Sequence, residues 1–249
     1  MGSSAIIVIP CYNEATRLPA HKFKAFVCAR HAVRFLFVDD GSSDGTWSVL
    51  EGFHREDPQR FTACRLAVNV GKAEAVRQGV LRAFEAGADY VGYWDADLAT
   101  PLETITAFCE LLDTRLDLEM VFGARVRLLG RTIERSALRH YLGRCFATAA
   151  SLTLGLRIYD TQCGAKLFRT SPVVQALFQH PFATRWLGDI EMLARLIQAR
   201  RGTDLPQAED IVYEFPLPEW REVVGSKVKA RDFVKGLCGL ARIYWQYLR

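Results

Sequence analysis

Residues 90–105, YVGYWDADLATPLETI, change character at Trp94. A short apolar and aromatic run suited to a buried strand ends in two carboxylates, Asp95 and Asp97, with only Ala96 between them. The next residues read as a helix start, with Thr100 as N-cap, Pro101 as the first helical residue and Glu103 as the capping-box partner. The same alternation occurs upstream. AIIVI (5–9), RFLFVD (34–39), TACRLAV (62–68) and YVGYWD (90–95) are β-rich runs separated by helical patterns. Strand and helix in regular alternation predict a single α/β domain whose mostly parallel central sheet is covered by helices on both faces.

In such sheets ligands collect beyond the carboxyl ends of the strands. Polar loops stand there in this chain: PCYNE after the first strand, DDGSSDGT after the second, NVGK after the third and DAD after the fourth. Past residue 113 the pattern predicts strands at 119–124 and 210–217 and helices near 136–154 and 189–200.

With 249 residues, half of them hydrophobic, the chain can bury a sizeable core. Its net charge of +4 favours anionic partners without calling for nucleic acid. The seven cysteines are scattered with no C-x-x-C pair, which points to reduced thiols in a cytosolic protein. The N-terminal stretch has neither the basic region nor the apolar core of a signal peptide. The longest uncharged run, 145–156, is too short to span a bilayer.

Two carboxylates this close repel unless a cation or proton offsets them. Mg²⁺ or Mn²⁺ fits, since such ions take one or two protein carboxylates plus substrate phosphates. Asp95 and Asp97 are therefore candidate metal ligands, and the implied substrate carries a diphosphate. The plainer reading, a solvated acidic loop, is disfavoured by their place at the end of an apolar strand. Asp39 and Asp40 form a second acidic pair, suited to accept hydrogen bonds from a base or ribose, although the segment also reads as an Asx turn capping a helix at Thr46. Lys72, at a helix start, suits an anion.

The segments IIVIPCYNE, FLFVDDGSSDGT, NVGKAEAVRQG and DADLATP, in this order, resemble glycosyltransferase family 2, inverting nucleotide-sugar transferases of the GT-A fold. GAR (123–125), RSALR (135–139), DTQCGAKLFR (160–169), RWLGDIEML (185–193) and WREVVGSKV (220–228) narrow the likeness to the dolichyl- and polyprenyl-phosphate glucose and mannose synthases. The resemblance implies a hexosyltransferase that moves glucose from UDP-glucose to a polyprenyl phosphate. It implies a nucleotide-sugar pocket of Pro10, Tyr12, Asn13, Glu14, Asp39, Asp40, Lys72, Asp95, Ala96 and Asp97. It makes Asp97, Asp189 and Arg125 the catalytic set, and Arg125, Arg135, Arg139 and Lys166 the acceptor-phosphate set. Residues 1–112 would hold the donor, 113–229 the acceptor, and 230–249 a C-terminal amphipathic helix.

Arg131, Arg135 and Arg139 are spaced by four, so a helix there would stack them on one face able to grip phosphate. The C-terminal segment places Phe233, Leu237, Leu240, Ile243 or Tyr244, and Leu248 on one side among basic residues. It fits either a peripheral helix on an anionic membrane at the cytoplasmic face or a stripe packed on the domain. A polyprenyl phosphate acceptor is already an anion and needs no general base; a hydroxyl acceptor does, and Asp189 would serve. Asp189 and Glu191 should point different ways on their helix. A soluble transferase acting on a hydroxyl and a non-catalytic sugar-nucleotide-binding protein are the competing readings.

Overall fold

The computed structural model describes residues 3–29, 32–134, 137–223 and 230–249, with backbone alone for 137–139 and 230–234. The strands are β1 (Ala5–Cys11), β2 (Val33–Asp39), β3 (Phe61–Arg65), β4 (Tyr90–Trp94), β5 (Met120–Ala124), β6 (Thr132–Glu134), β7 (Ala165–Arg169), β8 (Val212–Pro216) and β9 (Glu219–Arg221). The helices are α1 (Ala20–Ala29), α2 (Thr46–Glu56), α3 (Lys72–Glu85), α4 (Thr104–Thr114), α5 (Ala137–Leu154), α6 (Pro172–Phe178), α7 (Gly188–Arg200), α8 (Ala208–Ile211) and α9 (Ala230–Ile243). A π-helical turn, Tyr244–Leu248, extends α9.

Seven strands form one sheet in the order β3-β2-β1-β4-β7-β5-β8. All neighbours are parallel except those of β7, which runs antiparallel between β4 and β5. The expected mostly parallel α/β sheet is thus observed. Two apolar layers cover it. On one face Phe23, Phe35, Phe37, Phe53 and Phe61 pack edge-to-face and stacked, with ring centroids 4.9–6.4 Å apart. On the other, Val8, Val38, Tyr93, Phe122 and Phe168 meet α3, α6 and α7. Strand residues alternate between these layers, as the period of two requires.

Three expectations need correction. The helix after the carboxylates begins at Thr104 rather than Pro101, and Glu103 makes no capping bond. The Trp94 indole donates to the Thr100 carbonyl (2.9 Å) and the Arg221 amide to Ala99 (3.0 Å), holding this segment inward while Pro101–Glu103 make a tight turn. Arg131 does not share a helix face with Arg139, because 132–134 pair with β9 as a strand and α5 starts only at Ala137. Pairing with β9 overrides the four-residue spacing. Arg135 and the side chains of Arg139 and Phe233 lie outside the described residues. Finally, the strand expected at 210–217 starts at Val212, since a capping box of Gln207 and Asp210 opens the short helix α8, which takes up residues 208–211.

The C-terminal segment packs on the domain. Leu240, Ile243 and Leu248 are buried, Gly236 lies against Phe146 of α5, and the Tyr247 hydroxyl donates to Glu191 of α7 at 2.8 Å. Leu237, Tyr244 and Trp245 remain exposed. Among the described residues no helix is long and apolar enough to cross a membrane.

Candidate active site

The order β3-β2-β1-β4 reverses between β1 and β4, and at such a switch point the loops diverge and leave a crevice. Pro10–Glu14 leave β1 there and Asp95–Asp97 leave β4. The first loop is sewn to the second. Asn13, in the left-handed region at φ 53°, accepts from the Ser43 amide (3.0 Å), while its own amide donates to Ser42 Oγ (3.0 Å). The Glu14 amide donates to Thr46 Oγ1 at 2.8 Å. These bonds leave Tyr12 on the exposed rim.

The Asp39–Asp40 pair faces inward. Asp39 accepts from the Ser42 amide (3.0 Å) and meets Arg65 Nε at 3.2 Å. Asp40 accepts from the amides of Val70 (2.7 Å) and Gly71 (2.9 Å) and from Asn69 Nδ2 (2.8 Å), and burial pushes its carboxyl above the usual range. The Asx-turn role falls to Asp44, which accepts from the Thr46 amide at 2.9 Å. Asp40 thus acts on the next loop, fixing 69–71 so that Lys72 opens α3 beside β4. Arg185 clamps the same loop from outside, donating to Asn69 Oδ1 and to its carbonyl.

Lys72 Nζ lies 2.5 Å from Asp95 Oδ1. Burial alone would lower this ammonium's pKa, but Asp95 and Asp189 outweigh it and hold it above its ordinary value. Asp97 takes the Ala99 amide at 3.1 Å, made possible by Leu98 at φ 52°. Burial, then the neighbouring charge of Asp95, raises the Asp97 carboxyl. Ala96 turns into the core. Here Asp95 and Asp97 share Lys72, with Arg17 a further cation acting on Asp97. Among the described residues no cluster of three or more His, Cys, Asp or Glu could hold a metal alone. This donor set fits a hard divalent ion that completes its shell with water and phosphate oxygens.

Across the cleft, Asp189 stands in the first turn of α7. It accepts from the Tyr93 hydroxyl, lies 3.3 Å from Lys166 Nζ and 3.4 Å from Gln162 Nε2. Burial pushes its carboxyl up to about 7 and the Lys166 ammonium down to about 7. Glu191 points away, as expected, accepting from the Ala183 amide (2.8 Å), Arg195 (2.8 Å) and Tyr247.

Two acceptor-side expectations change. Lys166 was expected at the acceptor phosphate, but it is 0% exposed and donates to the carbonyls of Thr161 and Cys163. Alternation along β7 puts it on the inner face beside Tyr93 and Phe122. Arg125 forms a bidentate pair with Asp160, Nε to Oδ2 at 2.6 Å and Nη2 to Oδ1 at 2.8 Å, so its fork is not open to a phosphate. Despite burial, Asp160 raises the Arg125 guanidinium's pKa, and the arginine holds Asp160 down to about 2. Residues missed in the sequence are Tyr93, Asp160, Gly164 and Arg185. A tyrosine hydroxyl inside an otherwise apolar strand was the one readable signal, since a buried hydroxyl needs a partner.

The family model of glycosyl transferase family 2 matches residues 6–175. A dolichyl-phosphate beta-glucosyltransferase of Trichomonas vaginalis is 30% identical over 95% of this chain and 72% of its own length. The dolichyl-phosphate beta-glucosyltransferase of Saccharomyces cerevisiae is 31% identical over 97% and 74%. Among solved structures, glucosyl-3-phosphoglycerate synthase from Mycobacterium tuberculosis with UDP superposes with a TM-score of 0.61 at 17% identity, over 98% of this chain and 81% of that one. A mannosyltransferase from Pyrobaculum calidifontis in complex with GDP-Man and Mn²⁺ gives 0.59 at 18%, over 91% and 59%.

Proposed function

Because the chain belongs to glycosyl transferase family 2 and is a hexosyltransferase of GT-A fold, we propose that it moves glucose from UDP-glucose to a polyprenyl phosphate, with inversion to a β-linked product. The observation that carries the acceptor choice is the state of Asp189. Its oxygens face the Tyr93 hydroxyl, Lys166 and Gln162, a poor setting for a free base and a sufficient one where the nucleophile is already an anion. The likeness to dolichyl-phosphate beta-glucosyltransferases over nearly the whole chain supports the same acceptor.

In this reading residues 1–112 bind the donor. Tyr12 offers its ring to the base at the rim, and Pro10, Asn13 and Glu14 shape the wall. Lys72 leaves Asp95 partly exposed on one side and meets the diphosphate on the other. Mg²⁺ or Mn²⁺ held by Asp97 and Asp95 would supply the positive charge that a departing nucleoside diphosphate needs. Residues 113–229 receive the acceptor, with Arg135 and Arg139, which the resemblance assigns, as its phosphate contacts and Arg125 as a fixed cation. The exposed Leu237, Tyr244 and Trp245, with Lys235 and Arg242, touch the cytoplasmic face of a membrane.

The test is incubation of the protein with UDP-glucose, MnCl₂ and a short polyprenyl phosphate, with the product identified by mass. A glucosyl phosphoprenol that disappears with chelator is the expected result; UDP release without lipid product overturns the acceptor. A second reading, a hydroxyl acceptor with Asp189 as base, is favoured by the carboxyl's position near 7. Asp189→Asn separates the two. A loss of about 100-fold or more in kcat at unchanged donor affinity supports the base; a loss under about tenfold supports the phosphate.

A further inference from the structure

Lys166 lies on β7, which runs between β4 and β5, with its side chain wholly enclosed. An enclosed lysine is costly unless oxygens surround its head group. Here Nζ donates to the carbonyls of Thr161 (3.1 Å) and Cys163 (2.6 Å) and faces Asp189 at 3.3 Å. Both carbonyls belong to the loop 160–164. At its start, Glu214 accepts from the amides of Tyr159 and Asp160, each at 2.7 Å. At its end, the Gly164 carbonyl takes the Asp95 amide (2.8 Å), and a methyl group on Gly164 would overlap the Asp95 carboxylate. The loop is therefore the wall against which Asp95 rests.

We propose that Lys166 is a positioning residue for donor binding: by holding the Thr161 and Cys163 carbonyls from inside the sheet, it keeps Gly164 seated against Asp95 and so aims that carboxylate at Lys72 and the donor. The lysine touches neither substrate nor metal; it acts through the loop. This rests on the donor half of the reading above.

The test compares the wild type with Lys166→Met and Lys166→Gln in the full chain. Hydrogen exchange without substrate is followed by UDP binding in MnCl₂ by calorimetry. In Lys166→Met, amides of 160–164 and 95–98 exchange faster while β1–β3 keep their protection, and UDP binds about tenfold more weakly, the equivalent of about 1.4 kcal/mol. Lys166→Gln retains an amide donor for one carbonyl and shows a smaller shift in both. Unchanged loop exchange overturns the proposal, as does a loosened loop with unchanged UDP affinity. Loss of protection throughout the sheet in both variants also overturns it, since Lys166 would then support the whole fold. A wild type that fails to bind UDP refutes the donor reading instead, and the exchange comparison alone then decides the role of Lys166.

Discussion

Two ion pairs border the same cleft and differ in kind. Lys72 and Asp95 meet at 2.5 Å with side chains 34% and 38% exposed, through one nitrogen and one oxygen. Arg125 and Asp160 meet through two bonds with 15% and 9% exposed, and Asp160 also takes the Arg125 amide. A pair that water reaches is weakly held and can be exchanged for a ligand's charges, whereas an enclosed bidentate pair resists exchange and fixes the backbone on both sides. On the donor reading proposed above the first belongs to binding, while the second belongs to architecture.

The sharpest way to break this contrast is at the carboxylate next to the open pair. Asp97→Asn should lower kcat about a thousandfold, about 4 kcal/mol of transition-state stabilisation, with the melting temperature preserved. Steady-state kinetics beside a thermal melt decide it, and retained turnover would remove the acidic centre from the chemistry. Next in size, Asp160→Ala should cost about 3 kcal/mol of stability by stranding a guanidinium, read by urea unfolding, with UDP affinity falling no further than the roughly tenfold expected from loosening the loop that Asp160 begins. A variant that binds UDP poorly yet unfolds like the wild type would reverse the assignment of the two pairs.

The enclosed pair also predicts an acid limb. Asp160 is held at about 2 in the fold against 3.8 unperturbed, so on acidification the unfolded chain takes up the proton first. Its contribution, roughly 2 kcal/mol, is complete above about pH 4 and is lost as pH falls toward 2. Urea titrations at stepped pH should show this limb in the wild type and a flatter one in Asp160→Asn. The smallest effect is expected at the open pair: Lys72→Met should weaken UDP binding about tenfold with little change in stability, measured by calorimetry.

The same division governs how far the molecule could be read from its sequence. The first four strands and the loops after them were legible because each strand is a contiguous apolar run and each polar loop follows its strand directly. Asp95, Asp97 and Lys72 therefore emerged together. The later part of the chain depends on partners distant in sequence. β6 and β9 are three-residue strands of mixed polarity with no periodic signature, and their pairing displaced the helix expected to align Arg131 with Arg139. Lys166 in AKLFR was expected at the acceptor phosphate, yet alternation put it on the inner face, where carbonyl oxygens from its own preceding loop receive it. Thr100 had every mark of a helix cap until the Trp94 indole claimed its carbonyl.

The antiparallel strand β7 has a consequence for how the chain can be divided. It covers the edge of β4 that faces away from β1, pairing Tyr90 through Trp94 with Arg169 through Ala165. A fragment ending after α4 would leave that edge of the five-residue buried strand with the amides and carbonyls of alternate residues bare, a template for clumping with other chains. The first four strands and the strands that follow them thus share one structural seam, and neither group is a module that evolution or an engineer can lift out alone.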